Sequence, residues 1–289
     1  MSQDPVFQLF TSLRYDPILL QSPINIQSWP LPSPAPSPFY MLPYHRDRLL
    51  QAATHFNWPS AISSISGSSG FENLLHHLTT TIDTQSSTPL RIRVLLSHTG
   101  TLTIESNPVP AVPLSNLFPT RLPPSSTSPP PQPTVSALTG GALTLGPTDH
   151  LPGDPDLNNP WPIIPDPART QPSSYTLYKT TSRSMYNIAR ERAGIKEMAE
   201  KKEVLIISEK EGEIMEGSLT SVFFWREGKW RTPGVESGGQ VGTTRRWAIE
   251  RGLCTEGVVN VDSLTEGEEC WVSNGVRGFI FGEVQLPPS

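Results

Sequence analysis

Only two cysteines, Cys254 and Cys270, occur in the 289 residues. That is too few for a disulfide framework or a four-cysteine metal site, and a reduced intracellular setting is expected. The six histidines include the pair His76-His77 but no ligand set at a recognisable spacing, so no metal is expected. No run approaches the length of about 18 apolar residues that a membrane helix needs. The opening stretch MSQDPVFQLFTSLRYDP lacks a basic segment followed by an apolar one, so it does not read as a secretory signal. A soluble, cytoplasmic protein without membrane contact is the expectation. Basic stripes are missing too: 22 Lys and Arg are scattered among 27 Asp and Glu, for a net charge of -5, and nucleic acid is not an expected partner. Neither G-x-G-x-x-G nor G-x-x-x-x-G-K appears, which excludes the two commonest glycine-rich phosphate loops.

Proline is abundant instead. Of 32 prolines, 18 lie between Pro108 and Pro172, including PPSSTSPPPQP from Pro123 and PGDPDLNNPWPIIPDP from Pro152. Proline fixes φ and removes a donor, so neither a helix nor a central strand is predicted through this stretch. Its PPSSTSPPP core is expected to be mobile linker; P-x-x-P-like runs there are either simple linkers or ligands for SH3-type domains. SWPLPSPAPSP, from Ser28, reads as a loop insertion. The distribution predicts an N-terminal α+β lobe over 1–106, a proline-rich interlobe segment over 107–172 and a C-terminal lobe over 173–289.

Periodicity fills in the lobes. A strand is predicted over Phe7 to Arg14, helices over Tyr44 to Asn57 and Phe71 to Ile82, and a hairpin in LRIRVLLSHTGTLTIES. After the prolines come an extended run up to Lys179, a helix from about Arg183 ending near Gly194, and the strand EVLIIS. A hairpin turning at Glu227-Gly228, a helix from Thr243 to Gly252 and two strands around Asn274-Gly275 follow. Such mixing of helices with antiparallel hairpins gives an α+β or mixed α/β fold.

Four local patterns carry candidate chemistry. In YKTTSRSMYNIAR, Lys179 sits where an extended run meets a helix. A lysine there is a nucleophilic amine if its surroundings lower its pKa, and otherwise a solvated surface charge. In EIMEGSLTSVFFW, Glu216 among apolar neighbours needs a cationic partner or neutralises, unless it is an acidic turn residue. In GGQVGTTRRWAIERG, glycines lead into a helix whose first turn offers the N–H groups and hydroxyls of Thr243 and Thr244 to an anion, or simply a cap. In CWVSNGVRGFIF, the turn at Asn274-Gly275 offers backbone amides to a carboxylate or is a plain tight turn.

Taken in order, the lysine, E-G-S, G-x-T-R and S-N-G patterns between Lys179 and Val284 resemble the class IV aminotransferases. These include branched-chain and D-amino acid aminotransferases and aminodeoxychorismate lyases. HRDRLLQAA also resembles the family's H-x-x-R-L helix, while the acidic residue usual in the strand before it is missing from LFTSLRYDP. The resemblance implies pyridoxal 5'-phosphate as cofactor, bound as a Schiff base to Lys179. It also implies Glu216 against the pyridine nitrogen, with Arg48 and the amides of Thr243 and Thr244 on the phosphate. It further implies a two-lobe, D-amino acid aminotransferase-like fold, a small-molecule substrate and a homodimer. The K-T-T-x-R-x-x-Y form and TSLRYDP look like lyase-type members. For these the expected reaction converts 4-amino-4-deoxychorismate to 4-aminobenzoate and pyruvate, in folate biosynthesis. Arg183 and Arg277 are then candidates for the substrate carboxylates, Arg183 being alternatively a helix-surface charge, and Tyr186 bonds in the site or fills the core. A branched-chain or D-amino acid aminotransferase is the alternative; a non-catalytic binding protein is a second.

Overall fold

The computed structural model describes residues 7–27, 36–126, 138, 151 and 153–287. Most of SWPLPSPAPSP and of PPSSTSPPPQP lies outside them, as do the expectations of an inserted loop and a mobile linker.

The elements run in order β1 (Leu9–Tyr15), α1 (Pro23–Gln27), α2 (Leu42–His55), α3 (Pro59–Ile65), α4 (Gly67–Thr81), β2 (Leu90–Leu96), β3 (Leu102–Pro108) and α5 (Leu114–Leu117). They continue with β4 (Trp161–Thr170), α6 (Ser174–Leu177), α7 (Ser184–Arg192), β5 (Glu203–Ser208), β6 (Ile214–Gly217), β7 (Ser221–Arg226) and β8 (Lys229–Thr232). Last come α8 (Thr243–Glu250), β9 (Thr255–Glu256), β10 (Glu269–Asn274) and β11 (Gly278–Val284).

The first sheet is an antiparallel meander, β1-β2-β3. Alternation divides its two faces. Leu9, Leu13 and Tyr15 of β1, with Ile92, Val94 and Leu96 of β2, bury against Leu49, Ala52 and Ala53 of α2 and the apolar faces of α3 and α4. The opposite face carries Phe10 and Ser12 beside Arg91 and Arg93, with Ser12 paired to Arg93 and Arg14 to Arg91. This second face becomes a wall of the site.

The second sheet has the order β6-β5-β4-β11-β10-β7-β8-β9, with parallel pairing only at β4-β5, β11-β4 and β8-β9. Its turns follow local chemistry. Glu227 and Gly228 both adopt positive φ (52° and 78°) between β7 and β8, as a two-residue hairpin turn requires.

Two expectations are corrected. WPIIPDPART is a central strand, β4, parallel to β11 on one side and β5 on the other. Pro167 falls inside a register irregularity between Pro165 and Arg169, where the ladder is interrupted, while Pro165 at its edge pairs with Leu205 and Pro162 with Glu283. The run before Lys179 is not extended throughout either: Ser173 and Thr176 form a reciprocal capping box that opens the short α6. The helix α3, which opens on Pro59 and buries Ala61 and Ile65, was not among the predicted elements.

Candidate active site

A cavity of about 300 Å³ lies between the outer face of β1-β2 and the ends of β6, β10 and α8. Of the sequence-predicted site residues, Arg48, Lys179, Arg183, Glu216, Thr243, Thr244, Asn274, Gly275 and Arg277 line it, while Tyr186 lies in the core behind it.

Lys179 is placed by its backbone. Its carbonyl accepts from Phe10 N–H (3.0 Å), Thr181 N–H donates to the Gln8 carbonyl (2.9 Å), and Thr180 bridges to Leu9. The segment is thus stitched to the start of β1, and the amine reaches back to lie 5.2 Å from the Phe10 ring centre. Burial, with Arg183 and Arg48 close by, pushes the lysine pKa well below its ordinary value, against the pull of Glu216. Lys179 precedes the helix α7 and Arg183 caps it. Its guanidinium donates to the Ser218 carbonyl (2.8 Å) and stacks 4.7 Å from the Tyr186 ring.

Glu216, on β6, is 7 % exposed. Its Oε1 accepts from the Tyr186 hydroxyl at 2.6 Å. Burial lifts its pKa to about 7, opposed by the Tyr186 hydrogen bond and then by Lys179. The turn after it is organised by Glu203, 1 % exposed. The Glu203 carboxylate accepts from Ser218 N–H (3.1 Å) and Oγ (2.6 Å), Leu219 N–H (3.2 Å) and Thr220 Oγ1 (2.9 Å). Glu203→Gln keeps the shape but turns an amide donor toward these donors. A loss of about 2–4 kcal/mol of stability is expected, since a buried unmatched donor costs about 1–3 kcal/mol and bonds to charge are stronger. Urea unfolding monitored by circular dichroism measures it; a change below 1 kcal/mol would show that the turn holds without this carboxylate.

At the other end, Gly242 precedes α8, whose first turn holds the buried Thr243 and Thr244. The first N–H groups of a helix lack intrahelical partners. Thr244 Oγ1 meets Ser273 Oγ at 2.7 Å. Arg48 reaches in from α2, donating to Thr11 Oγ1, while its Nε is buried without a hydrogen-bond partner among the described residues. Burial brings Arg48 down to about 10, still cationic at neutral pH. Thr11 also bonds His45 Nδ1 (2.7 Å), which burial and the neighbouring Arg48 hold well below the ordinary histidine range, hence neutral.

In the Asn274-Gly275 turn, Asn274 Oδ1 accepts from Val276 and Arg277 N–H (3.0 and 2.9 Å). Those two amides are spent inside the turn rather than offered to a ligand. Arg277 donates to the Met198 carbonyl (2.5 Å) and lies 5.0 Å from the Trp161 ring.

Sequence reading missed Phe10, Ser12, Arg91, Arg93 and Gln240, which also line the cavity. The R-x-R alternation in LRIRV was the available signal for the arginines, since residues two apart share a strand face.

The sequence profile of the family Amino-transferase class IV matches residues 34–281. The chain belongs to this family. Class IV members are pyridoxal-phosphate enzymes, and the mixed α/β architecture here is the class IV fold. An aminodeoxychorismate lyase of Saccharomyces cerevisiae is 31 % identical over 209 residues, covering 68 % of this chain and 51 % of the yeast protein. A Schizosaccharomyces pombe protein provisionally described as an aminodeoxychorismate lyase is 28 % identical, over 45 % of this chain and 57 % of its own length. The match thus spans about half the length of these curated relatives. A crystal structure of a Mesorhizobium loti protein, provisionally described as an amino-acid aminotransferase, superposes with a TM-score of 0.62 at 19 % identity. That match covers 97 % of this chain and all of the other. Among the described residues no helix is long and apolar enough to cross a membrane, and no cluster of His, Cys, Asp and Glu could hold a metal ion.

Proposed function

We propose that this class IV family member is a pyridoxal-phosphate lyase that converts 4-amino-4-deoxychorismate to 4-aminobenzoate and pyruvate. The observation that carries the reading is the charge of the cavity. Arg48, Arg91, Arg93, Lys179, Arg183 and Arg277 line it, and Glu216 is the sole carboxylate among the described lining residues. With Lys179 and Arg48 given to the cofactor, Arg91, Arg93, Arg183 and Arg277 still leave the lining cationic toward a substrate that carries two carboxylates, although Arg93 also pairs with Glu105 (3.0 Å) and Arg183 and Arg277 each spend one N–H on a main-chain carbonyl. A branched-chain amino acid offers one carboxylate and an apolar side chain, for which such an arginine set is a poor match. The resemblance to the yeast lyase supports the same reading. The apolar lining from Phe10, Val109, Met198, Leu219 and Val276 favours an aminotransferase as the second reading.

The residues fit the cofactor. The partnerless Arg48 Nε and the first turn of α8 at Thr243 and Thr244 suit its phosphate. Buried Glu216 suits a protonated ring nitrogen, and Lys179 suits covalent attachment. When bound, pyridoxal phosphate supplies an electron sink for negative charge developing on the substrate. Lys179 contributes an amine whose pKa is lowered by burial and by the nearby Arg183 and Arg48, which favours the neutral form able to attack a carbonyl carbon. Once free, its Nζ can take the proton from the carbon bearing the substrate amine. The arginines orient the carboxylates and neutralise them. The fate of the substrate separates the readings: loss of the enolpyruvyl group, whose methylene carbon takes a proton to give pyruvate, would make the protein a lyase, and transfer of the amino group with release of a keto acid would make it an aminotransferase. A homodimer and a cytoplasmic location belong to the same proposal, on the family resemblance.

Purified protein incubated with pyridoxal phosphate, then with 4-amino-4-deoxychorismate, tests it. A visible absorbance band together with 4-aminobenzoate and pyruvate in equal amounts is expected. A band without those products, but with keto acid from branched-chain or D-amino acids, would replace the lyase by the aminotransferase. No band at saturating cofactor would leave a binding role.

A further inference from the structure

We propose that Tyr186, oriented by Gln240, is a positioning residue that holds the Glu216 carboxylate ionised and aimed into the cavity, so that it can pair with a cationic ring nitrogen. The inference rests on the cofactor reading above and extends it to a residue behind the site.

A carboxylate buried on β6 is driven toward neutrality, because desolvation penalises its charged form. Something must offset that if Glu216 is to act as an anion at neutral pH. The structure provides a directed chain of hydrogen bonds. Gln240 Nε2 donates to the Tyr186 oxygen at 3.3 Å, and the Tyr186 hydroxyl lies 2.6 Å from Glu216 Oε1. The Thr176 carbonyl, 3.3 Å from the same hydroxyl, is the weaker acceptor. Tyrosine has a single proton, so the short contact identifies Glu216 as its receiver. Gln240 also gives Glu216 a backbone hydrogen bond. Tyr186 itself cannot drift, being 1 % exposed and packed with Ala189, Val204, Ile206 and Met215.

The charged groups facing Glu216 are Lys179, ahead of α7, Arg183 at its cap, and Arg48 from α2. All are cations and favour the carboxylate, but each is claimed elsewhere: Lys179 for the cofactor, Arg48 for Thr11, and Arg183 for the Ser218 carbonyl. Tyr186 is a neutral side-chain donor whose short contact is with Glu216, beside the backbone hydrogen bond from Gln240. Its loss should raise the pH at which Glu216 ionises. Cofactor affinity improves as pH rises through that ionisation, so the affinity-against-pH curve should move upward in pH.

The test is Tyr186→Phe, which keeps the ring, its packing and the stack with Arg183. The dissociation constant of pyridoxal phosphate is measured by absorbance from pH 5.5 to 9 for the wild-type protein and the variant. About tenfold weaker binding at pH 7 is expected, with the curve displaced by about one pH unit, the scale of a lost hydrogen bond to a charged group. Inorganic phosphate, which would compete only at the Arg48 and Thr243 end, should bind both proteins equally. A general loosening of the fold would weaken phosphate as well and would overturn the positioning role. Superimposable affinity curves would also overturn it. If the variant is poorly folded, Gln240→Met provides the second measurement: a displacement in the same direction supports the chain of bonds, and none refutes it. Failure of the wild-type protein to give a band would count against the cofactor reading itself, which separates the two outcomes.

Discussion

Lys179→Ala is expected to give a folded protein that binds pyridoxal phosphate without the visible band of a lysine adduct and loses turnover by at least about three orders of magnitude. Two functions disappear together. The amine that captures the cofactor is gone, and so is the base that moves the substrate proton, a role worth on the order of 10²–10⁴ by itself. Folding should survive because Lys179 is held by its main chain, through the carbonyl bond to Phe10 and the neighbouring bridge of Thr180 to Leu9. Alanine preserves both. Removing the side chain also removes an amine crowded by Arg48 and Arg183, which offsets part of the packing lost with its methylenes. Absorbance spectra, turnover and a thermal melt together decide. A variant that melts normally but keeps the band would place the attachment at another amine. One that keeps turnover above a hundredth of wild type would deny Lys179 the proton-transfer role.

The depressed pKa of Lys179 has a separate consequence. Capture of an aldehyde requires the neutral amine, so the apoprotein should react with pyridoxal phosphate at pH values where surface lysines are inert. The rate should fall only as pH drops through the lowered value. Borohydride trapping followed by peptide mapping reads this directly. Label spread over surface lysines at pH 7, with none favoured, would mean that the pocket does not activate this one.

What the sequence exposed and what it hid have physical reasons. Lys179, Glu216, Thr243 and Asn274 sit at element ends, where local turn and cap chemistry leaves a pattern in consecutive residues. Arg91 and Arg93 sit mid-strand, and their meeting with Lys179 depends on the pairing of β1 with β2, which no local pattern encodes. The Tyr186–Glu216 bond joins residues 30 apart, and the Glu203 bonds to the 218–220 turn span 15 to 17 residues. Both are products of β5 and β6 coming together with α7. The strand β4 was hidden by its prolines, because composition counts missing donors and cannot tell where a register irregularity, as at Pro167, makes one unnecessary. Helices α2 and α4 were legible because one apolar stripe suffices to bury a helix on a sheet.

Gly275→Ala is expected to damage stability and cofactor binding at once, through one line of contacts. A β-carbon at Gly275 would stand 2.4 Å from His45 Cε1 and 2.9 Å from the Ser12 carbonyl oxygen. The carbonyl belongs to β1 and cannot yield, so the imidazole must. His45 is fully buried and held by Thr11 Oγ1, which is also the acceptor for Arg48. Displacing the ring therefore disturbs the guanidinium proposed to hold the phosphate, from a position two elements away. Overpacking of this kind costs about 1–3 kcal/mol. At this chain length that corresponds to a melting temperature lower by roughly 2–4 °C per kcal/mol. Cofactor affinity should fall by about tenfold or more, the value of one charged hydrogen bond. The double variant His45→Ala/Gly275→Ala isolates the cause. With the imidazole removed the new methyl has room, so the pair should be less destabilised than the sum of the two single variants, by about 1 kcal/mol or more. Additive effects would mean that the turn fails for its own backbone reasons, and that His45 does not connect it to Arg48.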